Sequence, residues 1–290
     1  MDDLDQLAGR FEEHRSRLRG VAYQMLGSLS EADDAVQETW LRASRADADE
    51  VRNLAGWLTT IVARICLNML RSRTSRREFY LPDPVVSPAE GLGPEDEALL
   101  ADSVGLAMLV VLDTLVPAER LAFVLHDLFA VPFDDIATIV GRTPTAARQL
   151  ASRARRRVQE ATPVPDADLS RQREVVDAFF AASRKGDFDA LMAVLDPDVE
   201  LRSDGGLTRP AVSALLRGRA EIAGQARLAH PLAPFARPAL VNGLPGAVVA
   251  PRGEVVSILS FVVRDDRIVA IHVFGDSARL QRPDLSPWLR

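Results

Sequence analysis

Apolar residues set the first rhythm of this chain. Phe11, Leu18, Val21, Ala22, Met25 and Leu26 recur at helical intervals until Gly27-Ser28-Leu29-Ser30 interrupts them. Ser30 is placed to cap a second helix. Asp33 and Asp34 fall in its first turn, where the helix dipole favours anions, and Ala35, Val36, Trp40 and Leu41 form its apolar side. A third helix is predicted from about Leu54 to Arg73, carrying Trp57, Leu58, Ile61, Ile65, Leu67 and Leu70. The stretch FYLPDPVVSPAEGLGPEDEA gathers four prolines and two glycines and reads as a linker. Helices resume near Glu97 and run through Leu115. Pro117 opens the next, which ends near Phe129, and Phe133–Val140 is a short one. Gly141-Arg142-Thr143 then turns the chain. Thr143 suits the N-cap and Pro144 the first position of a helix reaching about Glu160.

After a second linker, TPVPDADLS, the texture changes. Two helices are predicted at about Ser170–Lys185 and Phe188–Val194. Period-two stretches follow at Val199–Ser203, Leu240–Val249, Val255–Val263 and Arg267–Phe274, with Asp265-Asp266 as a hairpin turn between the last two. The pattern divides the chain into all-helical segments over 1–78 and 99–160, linkers over 79–98 and 161–169, and an α+β part over 170–290. No internal repeat is visible.

Composition is consistent with this division. A chain of 290 residues has room for two or three domains with their own cores. The 47% hydrophobic and 26% charged content is that of a globular protein. A single cysteine, Cys66, excludes an intramolecular disulfide and reads as a small buried hydrophobe. No apolar run reaches the roughly 18 residues of a membrane span, and MDDLDQLAGRFEEH has no signal-peptide pattern, so a cytoplasmic protein is expected. His14, His126, His230 and His272 lie far apart, and neither a metal nor a cofactor is expected.

Charge changes the picture. The formal net charge is −6, yet Gly141–Val158 carries six arginines and no acid. Arg64–Arg77 carries five arginines and no acid, whereas Glu31–Glu50 holds seven acids and two arginines. Such blocks predict separate faces for separate partners. On the basic helix, Ala147, Leu150, Ala151, Ala154 and Val158 define a buried face, while Arg148, Gln149, Ser152, Arg153, Arg155, Arg156 and Arg157 lie elsewhere. A short helix, a glycine turn and this helix form a helix-turn-helix pattern, whose second helix enters the DNA major groove. Arginine pairs with guanine and glutamine with adenine, and the later arginines suit phosphates. A solvated basic helix on an α-bundle is the other reading of the same residues.

Longer motifs bear on that choice. SEADDAVQETWLRASR, followed by NLAGWLTTIVARICLNMLRSRTSRRE, resembles region two of bacterial RNA polymerase sigma factors. VLDTLVPAERLAFVLHDLFAVPFDDIATIVGRTPTAARQLASRARRRV resembles region four. The pair, with no region three, resembles the extracytoplasmic-function group. YLPDP is similar to the linker motif of a subgroup with an added C-terminal SnoaL-like domain, and SDGG and VNGLPG are similar to that subgroup's C-terminal motifs. The resemblance implies a multidomain fold: two all-α sigma domains, a region 2 helical bundle and a region 4 helix-turn-helix, plus a C-terminal α+β SnoaL-like cone.

The resemblance also implies partners. Asp33, Asp34, Gln37, Glu38, Leu41 and Arg42 would dock on a coiled coil of the β′ clamp of core RNA polymerase. Arg64, Asn68, Arg71 and Arg73 would meet the −10 element of promoter DNA, with the Asn53 to Trp57 loop as base pocket. One departure is Arg64, where many members carry an asparagine. Thr145, Arg148, Gln149, Ser152 and Arg153 would read the −35 element, with Arg155 and Arg156 on phosphate.

In the third domain the subgroup implies regulation in cis. Tyr80, Leu81, Pro82, Asp83 and Pro84 of the linker would meet Asp204, Gly205, Gly206, Asn242, Gly243, Pro245 and Gly246. Asp204, His272 and Asp276 are the polar candidates for a pocket, which leaves a small-molecule ligand open. No acid/base pair at short spacing argues for catalysis, so an enzyme is not expected. The free chain is expected to be a monomer that avoids membranes. Two alternatives stand beside this reading: a ligand-sensing helix-turn-helix regulator, and a SnoaL-like enzyme fused to a DNA-binding module.

Overall fold

A computed structural model describes residues 2–46, 51–72, 81–89, 105–161, 163, 165–206 and 213–289. Their contacts divide them into two units. The first holds 2–46, 51–72 and 108–161; the second holds 81–89, 105–107 and the chain from 163 onward.

The first unit is all-helical. Helices α1 (Asp2–Leu26), α2 (Leu29–Ala43) and α3 (Leu54–Ser72) pack around Phe11, Leu18, Tyr23, Met25 and Leu58, each at most 1% exposed. The α2 cap is Ser28, not Ser30 as the sequence pattern predicts. Gly27, at φ 67, ends α1 in the left-handed region, so the next residue already starts the new helix. Ser28 is extended and its Oγ accepts from the Glu31 N–H, which makes Glu31 the first-turn acid. Cys66 is wholly buried in α3, and burial pushes its thiol up to about 12, which keeps it protonated.

After the first linker come α4 (Leu106–Asp113), α5 (Pro117–Phe123), a π-helical turn (Val124–Leu128), α6 (Phe133–Val140) and α7 (Pro144–Ala161). The single helix expected from Pro117 to Phe129 thus widens in its second half, and the chain leaves it through Ala130 at φ 55. Gly141, at φ 68, ends α6, and the Thr143 hydroxyl accepts from the Ala146 N–H, the cap expected for α7. Arg120 lies at the centre of the unit and is 1% exposed. It donates Nε and Nη2 to the Gln24 carbonyl at 3.1 and 3.0 Å, and Nη1 to Asp113 at 2.8 Å. Arg17 donates to the Phe129 carbonyl at 2.8 Å. Helices on the two sides of the linker therefore share one interior.

The second unit is α+β. Helix α8 (Leu169–Lys185) is capped by Asp168, whose carboxylate accepts from the Ser170 and Arg171 N–H groups, and ends at Gly186. Then follow α9 (Phe188–Val194) and α10 (Arg219–Leu228). The strands are β1 (Val86–Pro88), β2 (Leu195–Asp204), β3 (Ala214–Arg217), β4 (Ala236–Val241), β5 (Leu244–Val249), β6 (Ser257–Arg264) and β7 (Arg267–Phe274). They form one sheet in the order β1-β4-β5-β6-β7-β2-β3, antiparallel except for the β2–β7 pair. Phe179 and Phe180 on α8 meet Phe261 on β6 at centroid distances of 5.3 and 5.6 Å, and Leu191, Leu195, Ile222 and Ile271 close the core around them. This is the fold class that the resemblance implies for a SnoaL-like domain.

Two sequence expectations change here. The stretch Leu240–Val249 is not one strand but a hairpin, turning through Asn242 and Gly243 at φ 50 and 77. Asp265-Asp266 makes the turn expected of it, at φ 52 and 61. More consequentially, part of the compositional linker is structured. Residues 81–87 are all buried, and β1 adds antiparallel to β4 with Val86 opposite Val241 and Ser87 opposite Leu240. Prolines exclude a segment from the middle of a sheet but not from its edge, where one side of the strand needs no ladder partner.

Candidate functional site

Three surfaces carry the residues singled out by the sequence. On α2, Ala32, Ala35, Val36, Thr39 and Ala43 are buried. Asp33, Asp34, Gln37, Leu41 and Arg42 are exposed, and Glu38 is half-buried. Leu41, grouped by pattern with the apolar side, is 39% exposed and faces out among the acids. Trp40 instead packs on Phe11 at 5.2 Å. Arg19 pairs with Asp33 at 2.6 Å, and Arg42 with Glu38 at 2.9 Å. The result is an acidic helix face with one apolar contact point, a surface that suits a basic partner helix.

On α3, Trp57, Arg64, Asn68 and Arg71 follow one another at helical spacing. The three polar residues are exposed and Trp57 is half-buried. Val62, Ala63, Ile65, Cys66 and Leu67 face the core. The Asn53 to Trp57 segment is not a loop. Asn53 accepts from the Gly56 N–H through Oδ1 at 3.0 Å, and its carbonyl accepts from the Trp57 N–H at 3.0 Å, so Leu54–Trp57 is already the first helical turn. A cap residue and an aromatic on that turn stand where a base pocket was expected. Arg73 lies outside the described residues.

On α7, Ala147, Ala151, Ala154 and Val158 are buried. Thr145, Arg148, Gln149, Ser152, Arg153 and Arg156 are exposed, with Arg155 half-buried. Their partners sort the arginines. Arg148 lies over the Phe133 ring at 5.5 Å, and that ring stacks on His126 at 3.8 Å. Arg153 and Arg157 both reach Glu119 on α5, at 2.7 and 3.1 Å. Arg155 pairs with Asp127 and Arg156 with Glu160. Sequence reasoning gave Glu119, Asp127 and Phe133 no role, because each lies on a different element from the arginine it meets.

The linker residues converge on the second unit's sheet edge. The Leu81 N–H donates to Asp204 Oδ2 at 2.9 Å. Asn242 takes the Val85 N–H on Oδ1 at 3.2 Å and returns its own N–H to the Val85 carbonyl at 2.8 Å. Arg279 binds the assembly together. Its Nε donates to Asp83 at 2.8 Å, Nη1 to Asp204 at 3.0 Å and Nη2 to the Leu81 carbonyl at 2.7 Å; the guanidinium also lies over Phe274 at 4.7 Å. Arg282 donates to the Pro84 carbonyl at 2.9 Å. Pro82 is buried in the same stretch, while Tyr80 lies outside the described residues. The glycines act on the backbone. Gly206, at φ 61, leaves no room for a Cβ beside the Asp276 carboxylate, and a Cβ at Gly246 would stand 2.4 Å from the Leu259 carbonyl oxygen. Gly205 donates its N–H to Ser213, Gly243 completes the hairpin turn, and Pro245 sits opposite Leu240. Arg279 and Arg282 went unnoticed in the sequence, where an arginine in an arginine-rich chain carries no signal.

Two of the three pocket candidates, His272 and Asp204, lie on the sheet face opposite α8, α9 and α10. Ile271 faces the helix-covered core, so His272 and its register partners Arg202 and Ser260 lie on the other side of the sheet, as does Asp204 two residues beyond Arg202. Burial, aided by the Arg202 charge, pushes the His272 imidazole down to about 4, so it is neutral at physiological pH. Asp276 accepts from the Ala278 N–H. Among the described residues no group of His, Cys, Asp or Glu is placed to hold a metal ion, and no helix is long and apolar enough to cross a membrane.

Residues 10–76 match the family model of Sigma-70 region 2, and residues 106–158 that of Sigma-70 region 4. The ECF RNA polymerase sigma factor SigJ of Mycobacterium tuberculosis is 38% identical over 279 residues, 90% of this chain and 89% of that protein. The probable ECF RNA polymerase sigma factor SigI of the same organism is 32% identical over 287 residues, 97% of each chain. The crystal structure of Mycobacterium tuberculosis SigJ superposes with a TM-score of 0.79 at 34% sequence identity, covering 95% of this chain and 99% of that one. The likeness therefore extends through the C-terminal unit.

Proposed function

The chain belongs to the extracytoplasmic-function RNA polymerase sigma factors, in the subgroup with a C-terminal SnoaL-like domain, and from that premise we propose how its surfaces divide the work. The acidic face of α2 docks on core polymerase. The Trp57–Arg71 stripe of α3 takes the −10 element, where a sigma factor must hold unpaired bases and grip the backbone; an aromatic beside cationic and amide side chains suits that task. The exposed face of α7 takes the −35 element, with Arg148, Gln149 and Arg153 at the base edges and Arg155 and Arg156 nearer the phosphates. The protein acts on polymerase in the cytoplasm. Its C-terminal unit works by binding rather than bond chemistry, a reading supported by Asp204, whose oxygens are engaged by the Leu81 N–H, Gly206 N–H and Arg279.

Regulation in cis rests on one observation: residues 81–88, which connect region 2 to region 4 in sequence, end in the edge strand β1 and are pinned at Leu81 and Asp83 by Arg279. A sigma factor whose inter-region tether is held by its own C-terminal unit has its reach set by that unit. Run-off transcription with purified core polymerase tests this by comparing the full chain with one ending near Pro163. The truncated form is expected to keep the fold of its helices and to change promoter-dependent transcription severalfold. Identical transcripts at identical levels would refute control in cis.

The division of labour on α7 has its own test. Arg148→Ala with Arg153→Ala is expected to lower −35-dependent initiation by about 10–100-fold, since each specific base contact discriminates by roughly tenfold or more. Pull-down of core polymerase by the same variant is expected to match the parent. Equal loss of both would show that α7 serves polymerase binding instead.

A further inference from the structure

We propose that Glu119 is a positioning residue for −35 recognition, holding Arg153 by Nε and turning the Nη1/Nη2 edge of its guanidinium outward. The inference rests on α7 being the −35 helix. Glu119 sits in the first turn of α5 and is 4% exposed, beneath α7. Its Oε1 accepts from Arg153 Nε at 2.7 Å and its Oε2 from Arg157 Nη1 at 3.1 Å. The side chains of Arg153 and Arg157 remain 55% and 54% exposed. The carboxylate therefore grips each arginine at its inner side while the outer rim faces solvent.

The atoms used matter. A guanidinium has five N–H donors in a fixed plane, and guanine or phosphate recognition takes two of them at once. No other partner of Arg153 is present among the described residues, so occupying Nε leaves the Nη1/Nη2 pair available as a fork. Fixing Nε also fixes the plane of that fork, which a long arginine side chain otherwise samples through several rotamers. Arg153 and Arg157, one turn apart on one helix, would repel; a buried carboxylate that binds both offsets that repulsion. The Arg156–Glu160 pair lacks this character, since both its members are well exposed and solvent competes for the contact. Glu119 thus prepares a surface that it never touches.

A double-mutant cycle decides the matter. Holoenzyme is reconstituted from the full chain and core polymerase, and run-off transcription is compared on a promoter with its own −35 element and on one with that element scrambled. Glu119→Gln and Arg153→Ala are each expected to reduce the preference for the native element about tenfold. The combined variant is expected to do no worse than Arg153→Ala alone. Arg153→Lys, which keeps the charge but loses the planar fork, is expected to be as defective as Arg153→Ala. An E119Q preference equal to the parent's, an equal drop on both templates, or additive losses in the combined variant would overturn the proposal. If E119Q fails to fold by thermal melting, the Arg153→Lys arm decides alone: a preserved preference there sinks the oriented-fork role. If the parent holoenzyme binds core polymerase yet shows no preference for any −35 sequence, the reading of α7 itself fails; a parent preference untouched by E119Q refutes Glu119 only.

Discussion

Arg279→Ala is expected to free residues 81–88 from the sheet edge while leaving the rest of the C-terminal unit folded. Asp83 and Asp204 share the Arg279 cation with side chains only 8% and 6% exposed. Removing one partner of a buried ion pair costs about 3–5 kcal/mol, because the remaining charges lose their compensation without regaining water. A segment of some eight residues has a simple escape. It leaves the edge, Asp83 and Asp204 hydrate, and the core around Phe179, Phe180 and Phe261 is untouched. Hydrogen exchange reads the outcome directly. The Leu81 and Val85 amides, which donate to Asp204 and Asn242, are expected to lose protection by a factor of 100 or more, whereas amides of β6 and β7 keep theirs. Transcription by the variant is expected to move in the same direction as transcription by the chain ending near Pro163. Lost tether protection with parental transcription would separate the clasp from regulation and refute control through it. Asn242→Ala removes one neutral hydrogen bond and is expected to loosen the same segment far less.

The contrast between Arg279 and the other arginines shows where the sequence is legible. Helix periodicity placed α2, α6 and α7 nearly to the residue, because each alternates a buried face with a charged one and carries its own stop signals, such as Gly141. On α7 the exposed face followed from the same periodicity, so Arg148 and Gln149 stand away from the buried Ala147, Ala151 and Ala154; Asp33 and Arg64, which the resemblance alone singled out, are exposed as well. What failed was everything decided by pairing at a distance. β1 has no pattern of its own and exists because β4 offers an open edge. Proline content argued for a loop where tertiary contacts bury seven consecutive residues. The motifs SDGG and VNGLPG marked the right loops, since their glycines report positive φ and close approach, which are local demands. Arg279, Glu119 and Arg120 answer no local demand. Each is recognisable only once its distant partner has been brought to it: the Arg153 guanidinium for Glu119, the Gln24 carbonyl for Arg120 and the Leu81 carbonyl for Arg279, at 34, 96 and 198 positions' distance in sequence.

Arg120→Ala is expected to lower thermal stability and at the same time to raise affinity for core polymerase. Its three donated bonds join α5 to α1 and Asp113 inside the first unit. Losing a 1%-exposed cation that satisfies a buried carbonyl and a carboxylate costs about 3–5 kcal/mol, or roughly 10 °C in melting temperature. Yet the proposed division of the promoter between α3 and α7 is incompatible with this packing. Elements 25 base pairs apart are separated by roughly 85 Å at 3.4 Å per pair. A compact unit of about 140 residues has a radius of gyration near 14 Å and a diameter of about 37 Å. If α3 and α7 take the two elements as proposed, the faces of one such unit do not reach both, and the Arg120–Gln24 bond is expected to break when polymerase and promoter are engaged. An interaction present only in the unbound form is lost on binding, and weakening it favours the bound form by the same free energy. Differential scanning calorimetry and equilibrium binding to labelled core polymerase, run on the same preparation, give the two readings. A lower melting temperature with tenfold or greater gain in affinity is the expected pair. Lower stability with equal or weaker binding would mean that the helices on either side of the linker stay packed together on polymerase, and a different route to the two promoter elements would then be required.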